Sequence, residues 1–251
     1  MYNKDKLMSN KVAIVTGGAR RLGRDISIEL GRSGFDIVLI YNKSRKDILT
    51  DTISKIRATG VNVTAIKCDV SKAAEIKKMF RKVYVKYKKL DLLVNNAAIF
   101  EHSDFFDIDE KFFDRSMNTN LKSVFFCSQE AAKIMLRSKN SSGKIINIAS
   151  LGGIENWTGF IPYSLSRIGV IKLTKLLAKR LAPDILVNAI APGTILIDND
   201  ANESVDFKEE KKYPMKRFAK SRDITSLINH LAITNEYMTG QTIIVDGGRS
   251  L

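Results

Sequence analysis

The sequence predicts a single α/β domain over residues 1–251, built on a doubly wound parallel sheet of about seven strands. Two observations carry this. Short runs of Val, Ile and Leu recur along the chain without polar alternation, as in strands buried on both faces of a parallel sheet. Between them lie stretches whose apolar residues recur every three to four positions, the period of an amphipathic helix, joined to the strands by short connections. No internal repeat, linker or low-complexity stretch divides the chain.

Residues 11–16 (KVAIVT) form a first strand that ends at glycines. Residues 22–32 have helical period and stop before Gly34. A second strand spans 36–41 (DIVLIY), and a helix over 44–59 ends at Gly60. The third strand is 61–67 (VNVTAIK). Ser71 opens a lysine-rich helix, with Glu75 near its N-terminus. The fourth strand, 90–95 (LDLLVN), precedes a largely helical stretch over 112–138, in one or two pieces. Residues 144–149 (KIINIA) form the fifth strand. A long helix over 161–182 is stopped by Pro183, which cannot continue one. The sixth strand is 185–190 (ILVNAI). Residues 193–220, rich in Asp, Asn, Glu and Lys, form a long irregular segment; such a length in a compact domain points to a functional loop, here a substrate lid. A helix over 222–234 and a strand over 242–245 (TIIV) close the fold.

Composition excludes several classes. With 44% hydrophobic and 27% charged residues, the chain is too apolar for disorder. Its length buries a sizeable core without staples. Cys68 and Cys127 form no CxxC pair and sit in apolar runs, so they are core residues and no disulfide scaffold is expected. No metal site is expected either; Glu101, Asp104, Asp107, Asp109 and Glu110 form a solvated acidic loop. No apolar run reaches the ~18 residues of a membrane span, and residues 1–10 lack an apolar leader, so a cytoplasmic placement is expected. The net charge of +14 raises nucleic acid or an anionic surface as a partner. Yet the densest basic run, Lys72 to Lys89, interleaves with Ile76, Met79, Phe80, Val83 and Tyr87. It forms the solvated face of one helix, and neither nucleic acid nor membrane is expected as a partner.

After the first strand comes Thr16-Gly17-Gly18-Ala19-Arg20-Arg21-Leu22-Gly23, then a helix. A glycine-rich strand-to-helix turn presents backbone N–H groups and a helix N-terminus to a pyrophosphate. Gly17 would make the tight turn and Gly23 would let the helix pack closely. An NAD site places an acid at the end of the second strand, ~20 residues past the glycines. Here Tyr41-Asn42-Lys43-Ser44-Arg45 stands there, with no acid before Asp47, and Arg20 and Arg21 lie in the loop nearby. Guanidinium groups match phosphate geometry, so the pattern favours a 2′-phosphate and the cofactor NADP(H).

Tyr163 and Arg167, four apart on the long helix, share one face. A cation within ~4–6 Å of a phenol favours its deprotonated form, which suits proton transfer near neutral pH. Ser150 closes the fifth strand, at the carboxyl edge where such sheets bind their ligands. Its hydroxyl could hold a substrate oxygen. Trp157 and Phe160 lie between Ser150 and Tyr163, as a pocket wall or as plain packing. His102 and His230 stand outside any motif.

On these motifs the chain resembles the short-chain dehydrogenase/reductase family over essentially its full length. The resemblance rests on Thr16 to Gly23, Cys68-Asp69-Val70, Asn95-Asn96-Ala97-Ala98, Asn120, Ser150, Tyr163, Pro192-Gly193 and Asp246-Gly247-Gly248. It implies a Rossmann fold and an oxidoreductase whose hydride chemistry belongs to the cofactor. It further implies Tyr163 as general acid, Ser150 orienting the substrate oxygen and Asn120 supporting a water-linked relay. Residue 167 would hold the nicotinamide ribose. Gly17, Arg20, Arg21, Leu22, Gly23, Asp69, Val70, Asn96, Ala97, Ala98, Pro192, Gly193 and Thr194 would line the cofactor site. A homotetramer is implied, packed through the helices of 112–138 and 161–182.

The run Gly240 to Leu251 resembles the fatty-acid-synthesis reductases of the family, of both β-ketoacyl and enoyl types. The enoyl type has its tyrosine three residues earlier, where Phe160 stands, so reduction of a 3-oxoacyl thioester, with acyl-carrier protein as a partner, is favoured. Two departures keep alternatives open. Arg167 replaces the family's lysine, which leaves an NADP-binding member with weak or no catalysis as an alternative. Arg21 replaces a glycine, as in pteridine reductases, although those carry an aspartate where Ser150 stands.

Overall fold

The computed structural model describes residues 11–138, 143–197 and 207–251. Seven strands form one parallel sheet: β1 Val12–Thr16, β2 Asp36–Tyr41, β3 Val63–Lys67, β4 Leu92–Asn95, β5 Gly143–Ile148, β6 Ile185–Pro192 and, after a two-residue pair described below, β9 Thr242–Val245. Their order is β3-β2-β1-β4-β5-β6-β9, and every neighbouring pair is parallel. The chain runs outward from β1 to β3, then crosses back to lay β4 against the other side of β1. That reversal opens a crevice between the carboxyl ends of β1 and β4.

Alternation along each strand divides the core into two layers. Val12 and Ile14 face the layer of α3 (Ala73–Tyr87), α5 (Ser123–Met135) and α6 (Ile161–Leu181), through Ile76, Met79, Phe80, Cys127 and Ala178. Ala13 and Val15 face the layer of α1 (Arg21–Arg32), α2 (Lys46–Arg57) and α7 (Ser221–Ile233), through Leu22, Ile26, Leu30, Ile56, Ile224 and Ile228. Both cysteines are buried and free. The lysines of α3 face outward while Ile76, Met79, Phe80 and Val83 are buried, which is the solvated face its sequence predicts. Among the described residues, no helix is long and apolar enough to cross a membrane.

Three expectations need adjustment. The lysine-rich helix begins at Ala73 rather than Ser71, because Ser71 donates both its N–H and its hydroxyl to the Asp69 carboxylate and is held in that turn. The stretch over 112–138 is α4 (Glu110–Met117) and α5, joined by one π-helical turn over Asn118–Lys122. Asp109 caps α4 by accepting from the Phe112 N–H. The segment over 193–220 is not irregular throughout. Ile195–Leu196 (β7) pairs in parallel with Ala219–Lys220 (β8), and Phe207–Lys212 forms a 3-10 turn. Residues 198–206 of the expected lid, and residues 1–10, lie outside the described residues.

Candidate active site

Because all strands of the main sheet run parallel, their carboxyl ends share one edge, and most of the predicted site residues lie along it. Thr16 ends β1, and its hydroxyl oxygen accepts the N–H groups of Asn96 and Ala97 at 2.9 and 3.0 Å. The Asn96 side-chain amide donates back to the Thr16 carbonyl at 3.0 Å. The loops after β1 and β4 are thereby clamped together across the switch point. Gly17 has φ +64°, and a Cβ there would lie 3.0 Å from the Ala97 Cα, so the turn requires glycine twice over. A Cβ at Gly23 would overlap the Gly17 carbonyl oxygen. The helix therefore starts flush against the loop, at the end where a helix's first backbone N–H groups have no partner from a preceding turn. Such a cradle of bare backbone at a helix N-terminus fits the pyrophosphate of a dinucleotide.

Arg20 and Arg21 are exposed beside this cradle. Arg21 has φ +51°, the left-handed region that glycine occupies without cost. A cavity of about 900 Å³ opens next to the loop between α1 and α7, with Arg20, Arg21, Arg24, Lys220 and Arg222 in its lining. Ser150, Tyr163 and Arg167 do not line it. Beyond β2, Lys43 is exposed, whereas Arg45 is engaged by Asp47 at 2.6 Å. Asp69 and Val70 follow β3 beside this segment, since the Cys68 N–H donates to the Tyr41 carbonyl at 2.8 Å. Partial burial pushes the Asp69 carboxyl up, but the Ser71 hydroxyl and N–H and nearby Lys72 outweigh it and hold it below the usual range.

The second cluster is built from the end of β5 and the first turns of α6. Ser150 is buried, and its side-chain oxygen accepts the Gly152 N–H at 3.1 Å, which fixes the oxygen and leaves the hydroxyl proton to donate elsewhere. The Arg167 guanidinium lies over the Tyr163 ring, 4.9 Å from its centroid, so the spacing of four does place both on one face. Arg167 is 3% exposed, and its Nη1 donates to the Ile148 carbonyl at 3.1 Å. That bond ties α6 to the strand end carrying Ser150. The Arg167 Nε is buried without a partner among the described residues, and an orphaned buried donor here fits a polar ligand group. Asn120 is fully buried in the π-helical turn, where its side chain accepts the Ile99 N–H and donates to the Ile99 carbonyl, both at 2.9 Å. Its side chain thus positions the segment that follows Asn95-Asn96-Ala97-Ala98.

Those observations converge on one family. The chain belongs to the short-chain dehydrogenase family. The family's model, described as short chain dehydrogenase, matches residues 11–207. The chain is 39% identical over 243 residues to the 3-oxoacyl-[acyl-carrier-protein] reductase FabG of Staphylococcus epidermidis, covering 95% of this chain and 98% of that one. Among solved structures, a double-substituted short-chain dehydrogenase/reductase of Serratia marcescens superposes with TM-score 0.88 at 31% identity, covering 96% of this chain and 98% of that one. A blue fluorescent protein from a metagenomic library, in complex with NADPH, has TM-score 0.88 at 30% identity, with coverage of 96% and 98%. The protein is thus an oxidoreductase of a family that binds a nicotinamide cofactor.

In this short-chain dehydrogenase, aromatic rings cluster beside Tyr163. Phe100 meets the Tyr163 ring edge-on at 4.8 Å and stacks on Phe160 at 4.2 Å. The Trp157 ring is parallel to that of Tyr163, with centroids 6.4 Å apart and planes 7° apart. Trp157 and Phe160 therefore belong to one aromatic cluster with Phe100 and Tyr163, and His102 packs edge-on against Phe160 at 5.2 Å. Phe100 had no signal in the sequence beyond following Ala97-Ala98-Ile99. Gly193 packs against Asp246, where a Cβ would lie 3.2 Å from the Asp246 Cα, and Thr194 accepts a hydrogen bond from the Tyr213 hydroxyl at 3.0 Å. Neither Tyr213 nor Arg249, which donates to it, nor Glu155, which accepts from Arg249, stands out in the sequence, because only the fold brings them together.

Proposed function

We propose that this protein is an NADPH-dependent reductase that converts a 3-oxoacyl thioester to the 3-hydroxyacyl thioester. The observation that carries this reading is the cluster of Ser150, Tyr163 and Arg167 at the carboxyl edge of the sheet, on the same edge as the glycine cradle. The bound dinucleotide supplies the hydride. Tyr163, as general acid, gives its hydroxyl proton to the substrate oxygen as the carbonyl is reduced. Ser150, with its oxygen fixed by Gly152, donates to the same oxygen and orients it. Arg167 holds a permanent positive charge against Tyr163. A guanidinium does not give up its proton, so Tyr163 is reprotonated by water, and Arg167 acts through charge and hydrogen bonding. Phe100, Trp157 and Phe160 give an acyl group an apolar wall.

The preference for NADPH rests on Lys43 and Arg20, both exposed near the end of β2 and β1, and on the absence of an acid before Asp47. Gly17, Leu22, Gly23, Asn96, Ala97, Ala98, Asp69, Val70, Pro192, Gly193 and Thr194 complete the proposed dinucleotide site. An acidic acyl-carrier protein suits the chain's net charge of +14. Exposed Phe113 and Phe125 on α4 and α5, and Leu165, Ile168 and Leu176 on α6, give the proposed homotetramer its contact surface. A second reading, reduction of a dihydropterin, is favoured by one observation: an arginine at position 21 keeps a backbone conformation that strains it. Oxidation of NADPH by the purified protein against acetoacetyl and crotonyl thioesters, dihydropterin and simple ketones separates the readings. The proposal expects turnover of the acetoacetyl thioester first.

A further inference from the structure

Beyond the cluster around Tyr163, a chain of contacts joins four separate stretches of the sequence next to it. The Trp157 indole N–H donates to Glu155 Oε2 at 2.6 Å. The other Glu155 oxygen accepts from Arg249 Nε at 3.3 Å, with both side chains about a quarter exposed. Arg249 Nη1 donates to the Tyr213 hydroxyl at 3.4 Å, and the guanidinium lies over the Tyr213 ring at 5.4 Å. The Tyr213 hydroxyl donates to Thr194 Oγ1 at 3.0 Å. One guanidinium therefore links Trp157, which stands parallel to Tyr163, with Thr194, at the end of β6.

The backbone presents Arg249 rigidly. After β9, the Asp246 carboxylate accepts the N–H groups of Gly248 and Ser250 at 2.9 and 2.8 Å. Gly248 has φ +82°, and a Cβ there would press on the Pro214 ring at 2.9 Å. The Met215 N–H donates to the Gly247 carbonyl at 3.1 Å. The turn after β9 thus closes directly on residues 213–215. Without Arg249, Glu155 would keep its charge beside the aromatic cluster with only the indole N–H to hold it, and Trp157 would lose the anchor that sets its plane.

We propose that Arg249 is a positioning residue that determines how substrate sits beside Tyr163, by fixing Trp157 through Glu155 and Thr194 through Tyr213. This rests on the reductase reading for its kinetic consequence, but not for its structural one. Arg249→Met removes charge and donors at similar length, Arg249→Lys keeps the charge without the fork, and Glu155→Gln cuts the same link from the other side. Trp157 is the only tryptophan in the chain, so its emission reports the wall directly.

The expected result for Arg249→Met is red-shifted emission with easier quenching by acrylamide in the ligand-free protein. The KM for the acetoacetyl thioester rises about tenfold (~1.4 kcal/mol) while kcat changes less than threefold. Arg249→Lys falls between, and the Arg249→Met/Glu155→Gln double variant is no worse than about twofold beyond Arg249→Met, because both belong to one unit. Emission and KM unchanged in Arg249→Met, or effects of the two substitutions that multiply, would overturn the proposal. If Arg249→Met does not fold, Arg249→Lys and Glu155→Gln decide by the same readouts. If the wild-type protein turns over no 3-oxoacyl thioester, the reductase reading falls, and the emission shift still decides the positioning claim.

Discussion

The guanidinium of Arg167 sits over the ring of Tyr163 at 4.9 Å while donating to the carbonyl of Ile148, two residues before Ser150. One side chain thereby holds the proposed acid in register with the strand end that carries its partner. The arginine keeps the positive charge that a lysine would bring, but adds a planar donor array and cannot lose its proton.

Replacing Arg167 separates these contributions. Arg167→Met leaves the Ile148 carbonyl buried without its donor, which costs ~1–3 kcal/mol of stability; denaturant unfolding checks it, and kcat falls with it. Arg167→Lys retains activity but introduces a group that can deprotonate. Its kcat–pH profile gains a basic limb that the wild-type profile lacks from this position.

Tyr163→Phe lowers kcat by about 10²–10⁴-fold, the usual weight of a positioned proton donor. NADPH affinity, measured by titration of its fluorescence, stays within about twofold. Full activity in this variant refutes the acid role.

Arg21 occupies φ +51° at some cost. Arg21→Gly is expected to stabilise the protein by about 1 kcal/mol, by relieving a left-handed arginine, and to weaken NADPH binding. Stability and affinity moving in the same direction would contradict the idea that strain is retained here for a ligand.

NADPH binds at least about tenfold more tightly than NADH, a difference of ~1.4 kcal/mol. Lys43→Glu narrows or inverts the ratio. Because Arg45 is engaged by Asp47, Arg45→Ala has the smaller effect, and equal affinities for both cofactors in the wild type would sink the argument from the end of β2.

Burial pushes the Cys68 thiol up to about 11, with the nearby Glu75 and Asp69 charges adding to it, and burial pushes Cys127 higher still. An unfolded thiol titrates near ~8.5, so the native state binds its proton more tightly through the window from there to about 11. Stability is therefore full below ~8.5 and falls as pH rises above it. The native protein reacts slowly with thiol reagents at neutral pH, and a rapid loss of both thiols at pH 7 without unfolding would contradict their placement.

Much of the fold was legible because parallel strands advertise themselves. Val12–Thr16, Asp36–Tyr41 and Thr242–Val245 are apolar runs bounded by turn residues, and the structure moves their ends by a residue at most. Tyr163 and Arg167 were legible as neighbours because helical spacing alone decides it. The π-helical turn at Asn118–Lys122 was not, since its one extra residue only shifts the apolar phase between α4 and α5, which in sequence reads equally well as a break between two helices. Nor was the link between Glu155 and Arg249, which are far apart in sequence and meet only because β5 and β9 flank β6 in the sheet. The pairing of Ile195–Leu196 with Ala219–Lys220 was hidden for a related reason: two-residue strands are too short to show alternation.

The measurement that bears most directly on the account is steady-state NADPH oxidation by the purified protein with an acetoacetyl thioester, run beside Tyr163→Phe. The account predicts turnover by the wild-type protein, loss of at least about 10²-fold in the variant, and far weaker support from NADH. Tight NADPH binding with no turnover of any thioester or ketone would contradict it, and would leave a cofactor-binding protein whose Arg167 does not sustain catalysis.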